Sequence, residues 1–196
     1  MKNTNKMNDT ITIKDTTANP GPLGLVAFGL TTILLNLHNA GLFEMNTMIM
    51  AMGLFMGGMV QIFVGMMEWK KNNLFGLMAF TSYGAFWLSL VGLMILTKLG
   101  WGDVSSKPAM AWYLTVWGIY SLGLFFVARK ASMALTLVFG TVVLLFALLA
   151  AANFVESPAI HTTAGVVGII CGSLALYTGV AELYKVVFGK EILPLG

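Results

Sequence analysis

The chain has 196 residues, of which 58% are hydrophobic and only 10% charged, with a mean hydropathy of +0.84 and a formal net charge of +3. A water-soluble domain carries about 25% charged residues, so the composition excludes one and describes a membrane protein. The basic pI near 9.0 arises from residues dispersed over short loops, which fits membrane topology and gives no reason to expect a nucleic-acid partner.

Residues 1–18 form a polar tail rich in Lys, Asn, Thr and Asp. They lack the apolar stretch and small-residue cleavage site of a signal peptide, so the first membrane helix is expected to direct insertion. The tail gives way to hydrocarbon at Asn19-Pro20-Gly21-Pro22-Leu23-Gly24-Leu25. Asn19 is suited to cap a helix there, and Pro20 and Pro22 fit a first turn, where a missing N–H costs nothing. The amides left free at that start, together with the helix dipole, favour an anion. An ordinary well-capped helix accounts for the same residues.

Six apolar segments follow, over 22–42, 48–68, 74–96, 109–128, 131–154 and 162–184. Each is long enough to cross a bilayer core of about 30 Å. Asn46, Asn72-Asn73, Gly100 with Gly102, and Ser157-Pro158 break the chain between them. The expected organisation is a polar tail over 1–18, a six-helix transmembrane domain over 19–184 and a C-terminal tail over 185–196.

Positive charge sets the orientation. Lys2, Lys6, Lys14, Lys70, Lys71, Arg129, Lys130, Lys185 and Lys190 fall on one side, leaving only Lys98 and Lys107 on the other. The basic side faces the cytoplasm, so both termini are expected inside.

The sequence also echoes itself. Gly24-Leu25-Val26-Ala27-Phe28 returns as Gly76-Leu77-Met78-Ala79-Phe80, and Gly58…Gly65-x-x-Glu68 returns as Gly172…Gly179-x-x-Glu182. Both echoes join helices of the same direction, suggesting tandem hairpins, although the middle hairpin shows the pattern poorly. Gly53-x-x-x-Gly57 and Gly168-x-x-x-Gly172 permit close helix packing, within one subunit or between subunits.

The mid-membrane region carries no formal charge, which argues against a proton pump or cation transporter with carboxylates at depth. Its polar groups are neutral: Thr31, Thr32, Asn36, Asn39, Gln61, Thr81, Ser82, Tyr83, Thr136, Thr141 and Ser173. Such groups either join helix to helix or donate to a passing carboxylate without holding it. Glu68 and Glu182 sit near helix ends, as proton-coupling candidates or as partners of Lys70, Lys71 and Lys185. His38 and His161 lack neighbours at ligand spacing, so no metal and no cofactor is expected. Cys171 is the single cysteine and forms no intrachain disulfide. An intramembrane serine enzyme is unsupported: Ser173 and His161 share one helix, about 18 Å apart at 1.5 Å per residue. A non-transporting membrane scaffold is compatible with composition, though polar residues on several helices argue mildly against it.

The opening stretch resembles the Asn-Pro-Ala-Pro-Leu-Gly-Leu signature of the acetate uptake transporter family, the bacterial succinate–acetate permeases and their fungal relatives. Thr31-Thr32-Ile33-Leu34-Leu35-Asn36-Leu37-His38-Asn39, Phe80-Thr81-Ser82-Tyr83-Gly84, Phe146-Ala147-Leu148-Leu149-Ala150 and Ile192-Leu193-Pro194 also resemble family segments. The likeness covers the chain from Asn19 onward and departs at Gly21, where the family usually has Ala. It implies an all-α integral membrane protein of six helices, assembled as a homohexamer with one pathway per protomer. It further implies transport of acetate, and often succinate or other short carboxylates, across the plasma membrane, with a proton or as an anion-selective pathway. The family's constriction is an aromatic, a tyrosine and a leucine; the matching positions are Phe28, Tyr83 and Val142. Asn19, Thr31 and Ser82 are the substrate-contact candidates, and no catalytic residue is expected. A different small-solute or anion channel on the same fold is the alternative.

Overall fold

The computed structural model describes residues 16–196. Most of the polar tail, with Lys2, Lys6 and Lys14, lies outside the described residues. Among the described residues, six helices are long and apolar enough to cross a membrane: α1 Gly21–Asn39, α2 Thr47–Lys70, α3 Leu74–Lys98, α4 Lys107–Ala128, α5 Met133–Phe154 and α6 Pro158–Phe188.

Their starts follow from short polar side chains. Asn46, Asn73, Ser106, Ser132 and Ser157 each accept a bond from an amide in the first turn of α2 to α6. Stops are equally local. The first helix ends at Asn39, short of residue 42, because Gly41 turns the chain with φ +85°. The sixth runs past residue 184 to Phe188, where Gly189 at φ +66° terminates it. With 31 residues it is about 46 Å long and overreaches a bilayer core.

Four seams dominate the packing: α2 with α3, α4 with α5, α5 with α6, and α6 with α1. The helices follow one another around the bundle in the order α1, α2, α3, α4, α5, α6, and the last returns to the first. Seam by seam, this accounts for the sequence echo. Gly58 and Gly65 of α2 meet α3, while Gly172 and Gly179 of α6 meet α1. The backbones touch where glycines face each other. A methyl on Gly29 would lie 2.7 Å from the Gly172 carbonyl oxygen, and one on Gly84 2.8 Å from that of Gly58. Asn36 reinforces the α1–α6 seam, packing its amide against Gly168 while Nδ2 donates to the Thr32 carbonyl. The Gly168-x-x-x-Gly172 motif is thus spent within the subunit.

The interval between Gly53 and Val60 in α2 is π-helical, its hydrogen bonds reaching one residue further than those of the flanking α-helix. Such insertions re-aim the residues that follow. The first of these is Gln61.

Candidate functional site

A cavity of about 150 Å³ opens between α1, α2, α3, α5 and α6. A liquid water takes about 30 Å³, so it holds a few waters or one small organic acid. Its walls repeat with helical spacing: Gly21, Leu25 and Phe28 from α1; Gly76, Ala79, Phe80 and Tyr83 from α3; Leu135, Val138, Phe139 and Val142 from α5. Helix α2 contributes Gln61 and Glu68, and α6 contributes Glu182.

These residues fall on two levels. At the mouth, where the chain enters α1, a methyl on Gly21 would lie 3.3 Å from Glu68 Oε1 and 3.6 Å from Glu182 Oε2. Gly76 abuts the same Glu68 carboxyl from α3. Seven residues deeper on α1, α2 and α3, about 10 Å along each helix, stand Phe28, Gln61 and Tyr83. The Phe28 and Tyr83 rings are 5.7 Å apart, and Tyr83 lies 6.1 Å from Phe139. Val142 joins this level from α5 and is 2% exposed.

Tyr83 is held from outside the cavity. Its hydroxyl donates to Ser121 Oγ on α4 at 2.9 Å, and Ser121 donates on to the Trp117 carbonyl at 2.7 Å. Tyr120 adds an edge-on ring contact at 6.4 Å. The buried hydroxyls therefore have partners, and the ring faces Phe28 in one orientation.

At the mouth, Glu68 is buried and accepts a 2.8 Å bond from Asn73 Nδ2. Two carboxyls within reach of one glycine, beside a mostly apolar cavity, form the charged end of the site. Asn19 borders both this cavity and a wider recess of about 500 Å³, walled by Leu135, Glu182, Lys185, Glu191 and Leu195.

The expected role of the α1 amides changes. Asn19 Oδ1 takes the Gly21 amide at 3.0 Å. The Leu23 and Gly24 amides both reach the Pro20 carbonyl, and Pro22 has no amide proton. Pro20 itself occupies the cap position. No first-turn donor is left for an anion, because the turn satisfies itself. Thr31 and Ser82 also stand apart from the cavity walls. Thr31 Oγ1 donates to the Ala27 carbonyl at 2.9 Å, and Ser82 Oγ donates to the Ala79 carbonyl at 3.2 Å. Gln61, Phe75, Val138 and Phe139 line the cavity without having been singled out as site residues. For α5 the signal was available: Leu135, Val138, Phe139 and Val142 form one helical stripe.

Six apolar helices, five of which wall a narrow cavity with carboxyls at its mouth and aromatic rings at its floor, define a multi-pass membrane protein of the transporter and channel class. Residues 3–188 match the GPR1/FUN34/yaaH family, and the chain belongs to that family. It is 49% identical to the succinate-acetate/proton symporter SatP of Escherichia coli K12 over 179 residues, covering 91% of this chain and 95% of that one. It is 32% identical to ammonia transport outward protein 2 of Saccharomyces cerevisiae over 174 residues, 85% of this chain and 61% of the yeast protein. Among solved structures it matches the bacterial acetate channel SatP with a TM-score of 0.91 at 48% identity, covering 92% of this chain and all of the other. None of these three is named as an enzyme.

Proposed function

We propose that the protein carries acetate and similar short carboxylates, succinate among them, across the plasma membrane, with both termini in the cytoplasm. The observation that carries this reading is the two-level cavity in a chain 49% identical to a succinate-acetate/proton symporter. Phe28, Tyr83 and Val142 serve as the constriction. An apolar ring of this kind selects by size and by the cost of shedding water: a hydrated inorganic ion is refused, while acetate presents its methyl group to the rings. Asn19 receives the substrate at the cytoplasmic mouth. Glu68 and Glu182 hold the proton that moves with it. The family resemblance further supports a homohexamer with one pathway per protomer, which mass measurement in detergent checks directly.

The two bacterial relatives are named as a symporter and as a channel, and one experiment separates the modes. Labelled acetate uptake into proteoliposomes is followed under a pH gradient and, separately, under a membrane potential, with empty liposomes as the control for neutral leak. Uptake driven by the pH gradient alone defines electroneutral proton-coupled transport. Uptake driven by an inside-positive potential defines an anion pathway. No flux above empty liposomes would remove the transporter reading. The yeast relative's name supports a second reading, passage of a small neutral base, which the same vesicles test with labelled methylamine.

A further inference from the structure

At the deep level of the cavity, Gln61 is fully buried, and its Oε1 has no hydrogen-bond partner. The amide's orientation is fixed by its other end: Nε2 donates to the Gly57 carbonyl at 2.7 Å, on the last turn of the π-helical interval. An amide oxygen carries no proton to give a carbonyl, so the nitrogen faces Gly57 and the oxygen is the free atom. Gln61 also lines the cavity, level with Phe28 and Tyr83. Buried acceptors without partners are rare because each forfeits its hydration. This one sits where a solute passes.

From this geometry we propose that Gln61 is the specificity-determining residue of the constriction, and that it accepts a hydrogen bond from the substrate's own O–H. The acid then crosses this level neutral. The inference rests on the transport reading given above. Its chemistry follows from what else is present. Among the described residues, the walls of the cavity include no Lys, Arg or His. The Tyr83 hydroxyl proton at this depth is committed to Ser121, and one of the two Gln61 Nε2 protons to the Gly57 carbonyl. The titratable groups facing the cavity are therefore Glu68 and Glu182 at the mouth and Tyr83 at depth. An anion arriving beside Gln61 Oε1 would meet a partial negative charge in a largely apolar enclosure, with no cationic side chain on the walls to replace its water. A carboxylic acid brings the single donor that the free oxygen needs. No covalent bond changes; the proton stays on the acid.

The test uses two solutes of similar size that cannot change charge. Acetamide is always neutral and carries an N–H donor; methanesulfonate is always an anion and carries none. In proteoliposomes of the unmutated protein, acetate and acetamide are expected to pass above empty liposomes and methanesulfonate is not, with propionate controlling for size. Gln61→Leu, matched in volume, is expected to lower acetate and acetamide flux about tenfold, the loss of one buried hydrogen bond. It should leave methanesulfonate excluded. Methanesulfonate passing as readily as acetate, acetamide being refused, or full flux in Gln61→Leu would each overturn the assignment. Should Gln61→Leu fail to fold, the comparison of solutes in the unmutated protein decides alone. If no solute passes in that protein, the transport reading falls first, and the two failures are told apart.

Discussion

Tyr83 Oη donates a 2.9 Å hydrogen bond to Ser121 Oγ, across the seam between α3 and α4. Both residues are buried, so the bond fixes a ring at the floor of the cavity through a residue that never touches it. Ser121→Ala leaves a buried hydroxyl without its acceptor, at a cost of about 1–3 kcal/mol. The variant is expected to unfold at a lower temperature in detergent. It should also admit larger substrates, raising the lactate-to-acetate flux ratio as the ring gains freedom.

Val142 presents a smaller side chain where the resemblance places a leucine. Val142→Leu adds one methylene to a wall facing Phe28 and Tyr83. Lactate flux is expected to fall relative to acetate, with the acetate rate changing less. Equal ratios in the two proteins would show that α5 does not set the size limit.

The glycine seams make a sharper stability prediction. A methyl at Gly29 would sit 2.7 Å from the Gly172 carbonyl oxygen, and backbone on both sides prevents relaxation. Gly29→Ala should destabilise by about 1–3 kcal/mol, as overpacking does elsewhere. At Gly92 nothing lies within 4 Å. Gly92→Ala is therefore expected to be neutral or to stabilise by about 0.4–1 kcal/mol, by restricting the unfolded chain. Thermal unfolding of the two variants side by side checks both signs.

Glu68 and Glu182 converge on Gly21 at the mouth. With both changed to glutamine, the mouth loses its negative charge and its exchangeable protons. The double variant should bind acetate with a lower KM and respond less to an imposed pH gradient. Undiminished gradient dependence would mean that the acid takes its proton from bulk water instead.

Much of this architecture is legible in the sequence. Apolar runs of about 20 residues mark six crossings because lipid offers a backbone no other partner. Helix ends drifted where an amphipathic continuation, such as Lys185 to Phe188, extends beyond the apolar run. The spacing of Leu135, Val138, Phe139 and Val142 announced a shared face, though not what that face encloses. Local hydrogen bonding was harder to read. Nothing in the letters distinguishes a threonine that reaches into a pathway from Thr31, which bonds back to Ala27. The letters at the α1 start suggest free amides and so an anion site; in the fold, Asn19 and the Pro20 carbonyl take them. The π-helical interval that delivers Gln61 also has no sequence signature of its own.

The seam between α1 and α6 gives the chain a birth order problem. A ribosome releases α1 first and α6 last, so the earliest helix to enter the bilayer waits through four more insertions for its chief neighbour. Until then one wall of the cavity is missing, and the glycines of α1 face lipid. Closure of the pathway therefore waits for α6, and a nascent chain cut short before residue 158 would leave no sealed conduit to leak.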